Sequence, residues 1–169
     1  MPATTTSDPG TSVRTEPLRV RLLEPAEVQP AEDLLHKAFA PYVRRLGRVL
    51  RPQTFAHILD AVTERRVYGA FSEAELIGVA IIRELERGWY LDQIGVDPSL
   101  QGAGLGRAFL RALEAEAQSA GVETIALNTA EMMTHLLKFY HAEGFREVRR
   151  GPPDHDFDAH TRVYFEKKL

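Results

Sequence analysis

The chain has 169 residues, which is long enough for one domain with a hydrophobic core. Its formal net charge of −3 provides no basic footprint for nucleic acid, and no basic amphipathic segment indicates contact with a membrane surface. The sequence contains no cysteine, so disulfides, thiolate metal sites and a cysteine nucleophile are excluded.

The N-terminal segment predicts a tail. Residues 1–17 are rich in Thr, Ser and Pro and lack the apolar core of a signal peptide or membrane span. We therefore predict a flexible tail over residues 1–17, a single domain over residues 18–169, and a cytoplasmic protein.

The first half of the domain predicts a strand, two helices and a three-stranded meander. The segment LRVRLL, from Leu18, alternates as a strand does and stops before Pro25. Two apolar stripes at helical spacing follow. The first ends before Pro41, and the second follows Pro52 and comprises Phe55, Ile58, Leu59 and Val62. The segments RVYGAFS, ELIGVAIIREL and GWYLDQIGV are rich in β-branched and aromatic residues, and short polar segments between them are typical of hairpin turns.

The second half alternates helices with strands. A long helix is predicted to end at Gly121, and its buried face comprises Phe109, Leu110, Leu113 and Ala117. After the strand ETIALN, a further helix ends at Gly144, and its apolar stripe comprises Met133, Leu136, Leu137 and Tyr140. FREVRR and TRVYFEKKL predict the last two strands, joined by the loop GPPDHDFDAH. The predicted order is βααβββαβαββ.

A glycine-rich segment, QGAGLG over residues 101–106, joins the meander to the long helix. The N–H groups at a helix start lack partners within the helix, and the helix dipole favours an anion there, typically a phosphate. A P-loop would require Lys and then Ser or Thr after the last glycine, but Arg107 and Ala108 follow it. The Rossmann fingerprint also fails, because its third glycine position falls on Arg107.

The six residues Gln101-Gly102-Ala103-Gly104-Leu105-Gly106 match the pattern Gln/Arg-x-x-Gly-x-Gly/Ala, which resembles the acyl-CoA loop of the GNAT superfamily of N-acetyltransferases. The longer segment LDQIGVDPSLQGAGLG is similar to that family's whole strand-to-loop segment, and YHAEGF is similar to its Tyr-x-x-x-Gly-Phe motif. The resemblance implies an α+β protein with the GNAT fold. That fold is a single mixed, mostly antiparallel sheet of about seven strands, with a strand bulge at the acyl-CoA site and four flanking helices.

The resemblance also implies which residues bind acetyl-CoA. Backbone N–H groups from Gln101 to Gly106 would hold its pyrophosphate, with Arg107 adding positive charge. Backbone groups of Ile94, Gly95 and Val96 beside the bulge would meet the pantetheine arm, and one N–H there would polarise the thioester carbonyl. The helix that many members use for a side-chain contact to this arm departs from the family pattern at Met133 and Leu136. Asn128 is therefore a candidate for that contact. The alternative interpretation is that Asn128 is simply a polar residue at the end of its strand.

Two residues are candidates for proton transfer. By carry-over from the family, Tyr140 is the acid that protonates the departing thiolate, although its place on an apolar stripe also fits a core tyrosine. Reference pKa values of about 10 for tyrosine and about 8.5 for a thiol make this transfer only slightly uphill. Asp92 is the candidate base, and its alternative role is to pair with an arginine on a neighbouring strand.

The expected function is transfer of acetyl from acetyl-CoA, as co-substrate, to a primary amine of a small molecule, peptide or protein, by direct attack within a ternary complex. The alternative is a CoA-binding sensor or pseudo-enzyme with the same fold and no turnover. The acceptor clues are mixed: an anionic group would suit Arg44, Arg45, Arg48 and Arg51, and a cationic amine would suit Asp154, Asp156 and Asp158. We expect no metal, no nucleic acid and no membrane partner, and either a monomer or a homodimer.

Overall fold

The computed structural model describes residues 17–100 and 102–169. Within them seven strands form one sheet in the order β1-β2-β3-β4-β5-β7-β6, flanked by four helices. The strands are β1 (Arg19–Leu22), β2 (Val67–Ser72), β3 (Glu75–Glu84), β4 (Gly88–Val96), β5 (Thr124–Ala130), β6 (Arg146–Gly151) and β7 (Arg162–Lys168). The helices are α1 (Val28–Arg45), α2 (Ile58–Thr63), α3 (Leu105–Ser119) and α4 (Thr134–Ala142). The predicted element order and α+β class are confirmed, whereas residues 1–16 of the predicted tail, and Gln101, lie outside the described residues.

The sheet separates two hydrophobic layers. On one face, α3 and α4 pack over the sheet, and the predicted buried face of α3 is confirmed because its apolar residues are fully buried: Phe109, Leu110, Leu113 and Ala117. On the other face, Leu35 of α1 and Ile58 of α2 pack against Val79 and Ile81 of β3. Alternation along each strand therefore decides which layer a side chain enters.

Helix α1 continues through Pro41 to Arg45, so the prediction that it ends before Pro41 is wrong. A proline inside a helix costs roughly 3 kcal/mol, because it lacks the N–H that the preceding turn would bind. The residues beyond Pro41 offset this cost, because Val43 is buried and Leu46 packs against Ala130 and Met133. Each such burial contributes about 1.5–3 kcal/mol.

Helix α2 is shorter than its apolar stripe predicts. It begins at Ile58, so the fully buried Phe55 lies in the turns that precede it. Val62 is buried as expected, but Leu59 is 51% exposed, so that part of the predicted stripe is wrong. Three residues of the short helix are buried, Ile58, Ala61 and Val62, and Phe55 packs in the same cluster.

The central strands of the sheet diverge. β4 and β5 pair in parallel only where Gly88–Tyr90 meet Thr124–Ala126, and within the described residues their ladder goes no further. β4 continues to pair with β3, but Ile81 faces Gln93 while Ile82 faces Leu91, so Asp92 is an extra residue in β4. Such a bulge bends its strand, and we call the resulting space between residues 91–96 and 127–130 the β4/β5 gap. The expected bulge is confirmed, slightly earlier in β4 than expected.

Candidate functional site

The glycine loop before α3, described here over residues 102–106, presents free backbone donors. Gly102 and Gly104 have φ values of +88° and +73°, which favour glycine, and the first helical bond runs from Ala108 N–H to the Gly104 carbonyl at 3.0 Å. Among the described residues, none accepts a hydrogen bond from the N–H groups of residues 102–107. A Cβ atom at Gly102, Gly104 or Gly106 would meet no atom within 4 Å. The start of this helix therefore has both the donors and the space that a bound phosphate requires.

Arg107 does not simply face the loop. Its Nε donates to Glu143, at the end of α4, and Arg111 Nε donates to the same carboxylate at 2.9 Å. Burial acts to raise the pKa of Glu143, whose side chain is 2% exposed, but the hydrogen bonds from Arg111 and Arg107 prevail and lower it. Arg107 therefore ties α3 to α4, although half of its own side chain remains exposed.

Tyr42 and Tyr140 lie near each other, on helices that pack on opposite faces of the sheet. The hydroxyl of Tyr42, on α1, accepts a hydrogen bond from Ala130 N–H at 3.1 Å, at the edge of β5 that faces away from β7. Tyr140, on α4, is 8% exposed and packs against Phe145 and Phe165. Burial, and to a smaller extent the nearby Tyr42, raise the pKa of Tyr140 far above its usual value. Tyr140 is therefore a protonated phenol at neutral pH.

Residues around the bulge line the other side of the gap. Ile94 and Val96 pack into the layer of α3. Gly95 faces α1, where a Cβ atom would lie 2.8 Å from Ala38 Cβ, so close packing of the helix requires glycine there. Gln93 Oε1 is buried without a hydrogen-bond partner among the described residues. Such an orphan acceptor beside the gap is costly unless a bound molecule donates to it.

Asp92, the bulge residue, forms an ion pair with Arg83 on β3. The distance from Arg83 Nη2 to Asp92 Oδ1 is 3.1 Å, and both side chains are partly exposed. The Arg83 guanidinium also lies 4.7 Å from the centre of the Tyr90 ring. The structure thus contains the ion pair that the sequence analysis gave as the alternative role of Asp92. Because the pair is partly exposed, Asp92 can still be reached from the gap.

Asn128 belongs to a polar row across the sheet, which we call the tyrosine floor: Tyr90, Asn128 and Tyr164. Asn128 donates to the hydroxyl of Tyr90 and pairs in register with Tyr164. The Tyr164 hydroxyl donates to the Pro152 carbonyl at 2.8 Å. Sequence reasoning missed the two tyrosines. The alternation of side chains along a strand could have revealed them. The neighbours of each tyrosine in the chain are buried in the layer of α3 and α4, so the tyrosines must face the other side of the sheet: Trp89, Leu91, Val163 and Phe165 are these neighbours.

The loop between β6 and β7, residues 152–161, closes over the end of α1. His160 Nε2 lies 2.9 Å from the Leu46 carbonyl, and Arg48 Nε donates to the Phe157 carbonyl at 2.7 Å. Asp158 is buried in an ion pair with Arg162, with 2.6 Å between Oδ2 and Nη2. Asp158 was a candidate partner for a cationic amine, but in the structure its carboxylate is buried and occupied by Arg162.

The remaining acceptor candidates are all exposed on the surface: Arg44, Arg45, Arg51, Asp154 and Asp156. Of these, Arg45 contacts His135 at 3.2 Å. In the described part of the chain no three His, Asp or Glu side chains converge as metal ligands. Nor does any helix there have the length and apolar character needed to cross a membrane.

Comparison with known proteins identifies this arrangement. A sequence model of the Acetyltransferase (GNAT) family matches residues 31–145, more than half of the chain. The chain belongs to this family. An IAA acetyltransferase of Azospirillum brasilense is 28% identical over 133 residues, which cover 75% of this chain and 85% of the relative.

Solved GNAT structures share the fold. An acetyltransferase of Bacillus subtilis in complex with CoA has a TM-score of 0.66 and 25% identity, covering 90% of this chain and 99% of its own. The ribosomal-protein-S18-alanine N-acetyltransferase of Escherichia coli has a TM-score of 0.70 and 22% identity, with coverages of 90% and 94%. The seven-stranded mixed sheet is thus the GNAT fold, and the glycine loop and the β4/β5 gap lie within the residues that the family model matches.

Proposed function

We propose that this GNAT protein transfers acetyl from acetyl-CoA to a primary amine by direct attack within a ternary complex. The observation that carries the proposal is the alignment of an open glycine loop with a pair of diverging strands. The loop suits a pyrophosphate, and the unpaired strand edges suit an extended amide-containing arm. CoA in the Bacillus subtilis relative supports the same choice of co-substrate.

Backbone groups would hold this co-substrate, which supplies an activated acetyl thioester. The N–H groups of residues 101–106 bind the pyrophosphate, and Arg107 adds positive charge. The free edge of β4 at Ile94, Gly95 and Val96 binds the arm, and one N–H there polarises the carbonyl that the amine attacks. Asn128 retains its side-chain oxygen for the arm, because its nitrogen is occupied by Tyr90.

Two side chains move protons in this proposal. Tyr140 donates a proton to the sulfur as the C–S bond breaks. Its raised pKa keeps the phenol protonated across the working pH range, and it also makes the transfer to a thiolate, whose reference pKa is about 8.5, more uphill than for an ordinary tyrosine. Asp92, directly or through a water, accepts the proton that the attacking amine loses. The acceptor lies over the tyrosine floor, between α1 and the β6/β7 loop.

The pairing of Asp92 with Arg83 favours one alternative, a CoA-binding sensor without turnover, because the candidate base is already occupied. Release of free thiol in the presence of an amine separates the two functions. A sensor binds acetyl-CoA but releases no thiol above the rate of hydrolysis.

Thermal unfolding with acetyl-CoA, and with ATP and NAD as controls, tests the donor site. A ligand at a hundred times its Kd stabilises a protein by about 2.7 kcal/mol, which for this chain length raises Tm by roughly 5–11 °C. We expect this rise for acetyl-CoA alone. No rise at millimolar acetyl-CoA would contradict both the transferase and the sensor.

The variant Gly104→Ala tests the loop, and Gly47→Ala is its matched control. Both glycines have left-handed φ values, +73° and +74°, and neither has an atom within 4 Å of an added Cβ. Each substitution therefore costs about 1–2 kcal/mol of backbone strain. Only Gly104→Ala should also weaken acetyl-CoA binding, by tenfold or more in calorimetric titration. Equal affinities in the two variants would remove the loop from the donor site.

A further inference from the structure

The arginines around the tyrosine floor differ in whether a carboxylate binds them. Arg83 binds Asp92 at 3.1 Å, and Arg162 binds the buried Asp158 at 2.6 Å. Arg149 of β6 differs, because no carboxylate of the described residues lies within 4 Å of it. Arg149 is therefore a cation beside the tyrosine floor that has no carboxylate partner among the described residues.

Arg149 is nevertheless held in place. Its guanidinium carbon lies 3.5 Å from the centre of the Tyr164 ring, with which Arg149 pairs in register. Tyr164 in turn is 6% exposed and fixed by its hydrogen bond to Pro152. A guanidinium stacked on a ring keeps its N–H edge free, so it can bind a carboxylate in the guanidinium plane with little further loss of side-chain entropy.

Negative charge gathers at the other end of the floor. Asp92 lies on β4, and the Arg83 guanidinium has a pKa raised chiefly by its hydrogen bond to Asp92 and, less strongly, by Asp154 of the β6/β7 loop. The Arg83–Asp92 pair carries no net charge, so Asp154 leaves this end of the floor with an excess negative charge, whereas Arg149 gives the other end an excess positive charge. The two ends of the floor therefore suit a molecule that carries an ammonium group at one end and a carboxylate at the other.

We propose that Arg149, stacked on Tyr164, binds a carboxylate of the acceptor while the amine of the same acceptor enters the β4/β5 gap. The inference rests on the acetyl transfer proposed above. It assigns the acceptor to amines that carry a carboxylate at a set distance, such as short peptides with free ends.

The strand spacing sets that distance. The Arg149 guanidinium lies over Tyr164 of β7, and β5 alone separates β7 from β4, which carries Asp92. The two ends of the floor are therefore about two strand spacings, roughly 10 Å, apart. An extended peptide spans at most about 3.3–3.6 Å per residue. The amine and carboxylate of a tripeptide are therefore matched to the floor, whereas those of a single α-amino acid are too close together to reach both ends.

The test compares trialanine with trialaninamide, which lacks only the carboxylate. We expect kcat/KM from thiol release to favour the acid at least tenfold, mainly through KM, with an optimum near three residues in a series from alanine to pentaalanine. Arg149→Gln should reduce the preference to threefold or less. Arg146→Gln is the matched control, because Arg146 is exposed on the same strand opposite Glu166, away from Tyr164, and should keep the preference.

A second readout does not require turnover. With CoA bound, N-acetyl-trialanine should raise Tm more than its amide does, and this difference should vanish in Arg149→Gln. Equal effects of acid and amide in both assays would overturn the inference, whereas acetyl-CoA would still raise Tm and amines would still release thiol. Loss of the acetyl-CoA effect itself would instead remove the proposed function.

Discussion

Tyr140 is packed edge-on against Phe139 and Phe145, so its ring is fixed whether or not the hydroxyl does chemistry. The variant Tyr140→Phe keeps this packing and removes only the proton donor. We expect kcat to fall at least tenfold, with Tm changed by less than about 4 °C, the equivalent of roughly 1 kcal/mol. Thiol release and thermal unfolding measure the two quantities.

The high pKa of Tyr140 gives the same prediction a pH dependence. A proton donor works below its pKa, and burial raises that pKa above the usual value of about 10. The ratio of wild-type to variant kcat should therefore stay constant between pH 6 and pH 9. A ratio that falls as the pH rises in this range would mean that another group donates the proton.

Asp92 is tested together with its partner. If Asp92 only pairs with Arg83, Asp92→Asn and Arg83→Gln should have the same small effect, because this half-exposed ion pair contributes little stability. If Asp92 is the base, Asp92→Asn should lower kcat by about 100-fold, in the range typical of general bases, and Arg83→Gln by much less. Thiol release at saturating acetyl-CoA compares the two variants, and equal rates would leave Asp92 with a structural role.

At the scale of elements, Glu143 joins the last turn of α4 to the first turns of α3. Its pKa is lowered in the folded protein, so its contribution to stability is complete above the unfolded pKa of about 4.3 and is lost as the pH falls through the folded pKa. Glu143→Gln should therefore lower Tm by roughly 2–8 °C at pH 7, corresponding to about 1–2 kcal/mol. The deficit should shrink towards pH 3.

The control for this prediction is Glu116→Gln, which changes an exposed glutamate on α3. Its Tm should match the wild type at both pH values. If the Glu143→Gln deficit is the same at pH 3 and pH 7, the ionised carboxylate does not hold the two helices together.

The elements themselves were predictable because their causes are local. Alternation in GWYLDQIGV and the helical spacing of Phe109, Leu110 and Leu113 report burial directly, so strands and helices followed from the sequence. The end of α1 could not be predicted in this way, because Leu46 is buried by Ala130 and Met133, which are far away in the chain. The same limit applies to the site: the glycine loop is a contiguous motif, whereas the pairing of Arg107 with Glu143 joins residues 36 positions apart.

At the scale of the molecule, the buried pair of Asp158 and Arg162 anchors the β6/β7 loop over the end of α1. Breaking a buried ion pair leaves an uncompensated charge and typically costs about 3–5 kcal/mol. Asp158→Asn should therefore destabilise the protein by this amount in urea unfolding. The double variant Asp158→Leu with Arg162→Met should recover most of the loss, because it leaves no buried charge, and failure to recover would mean that the loop depends on these charges specifically.

The divergence of β4 from β5 has a consequence for assembly. Among the described residues, only three pairs join β4 and β5. The sheet therefore consists of a four-stranded part and a three-stranded part that are connected at one end of these strands. Open strand edges normally invite pairing with a second chain, which leads to aggregation. Here both open edges face each other inside the fold, and Tyr42 of α1 accepts a hydrogen bond from the β5 edge. The edges left unpaired by the divergence are therefore turned towards each other and away from a second chain.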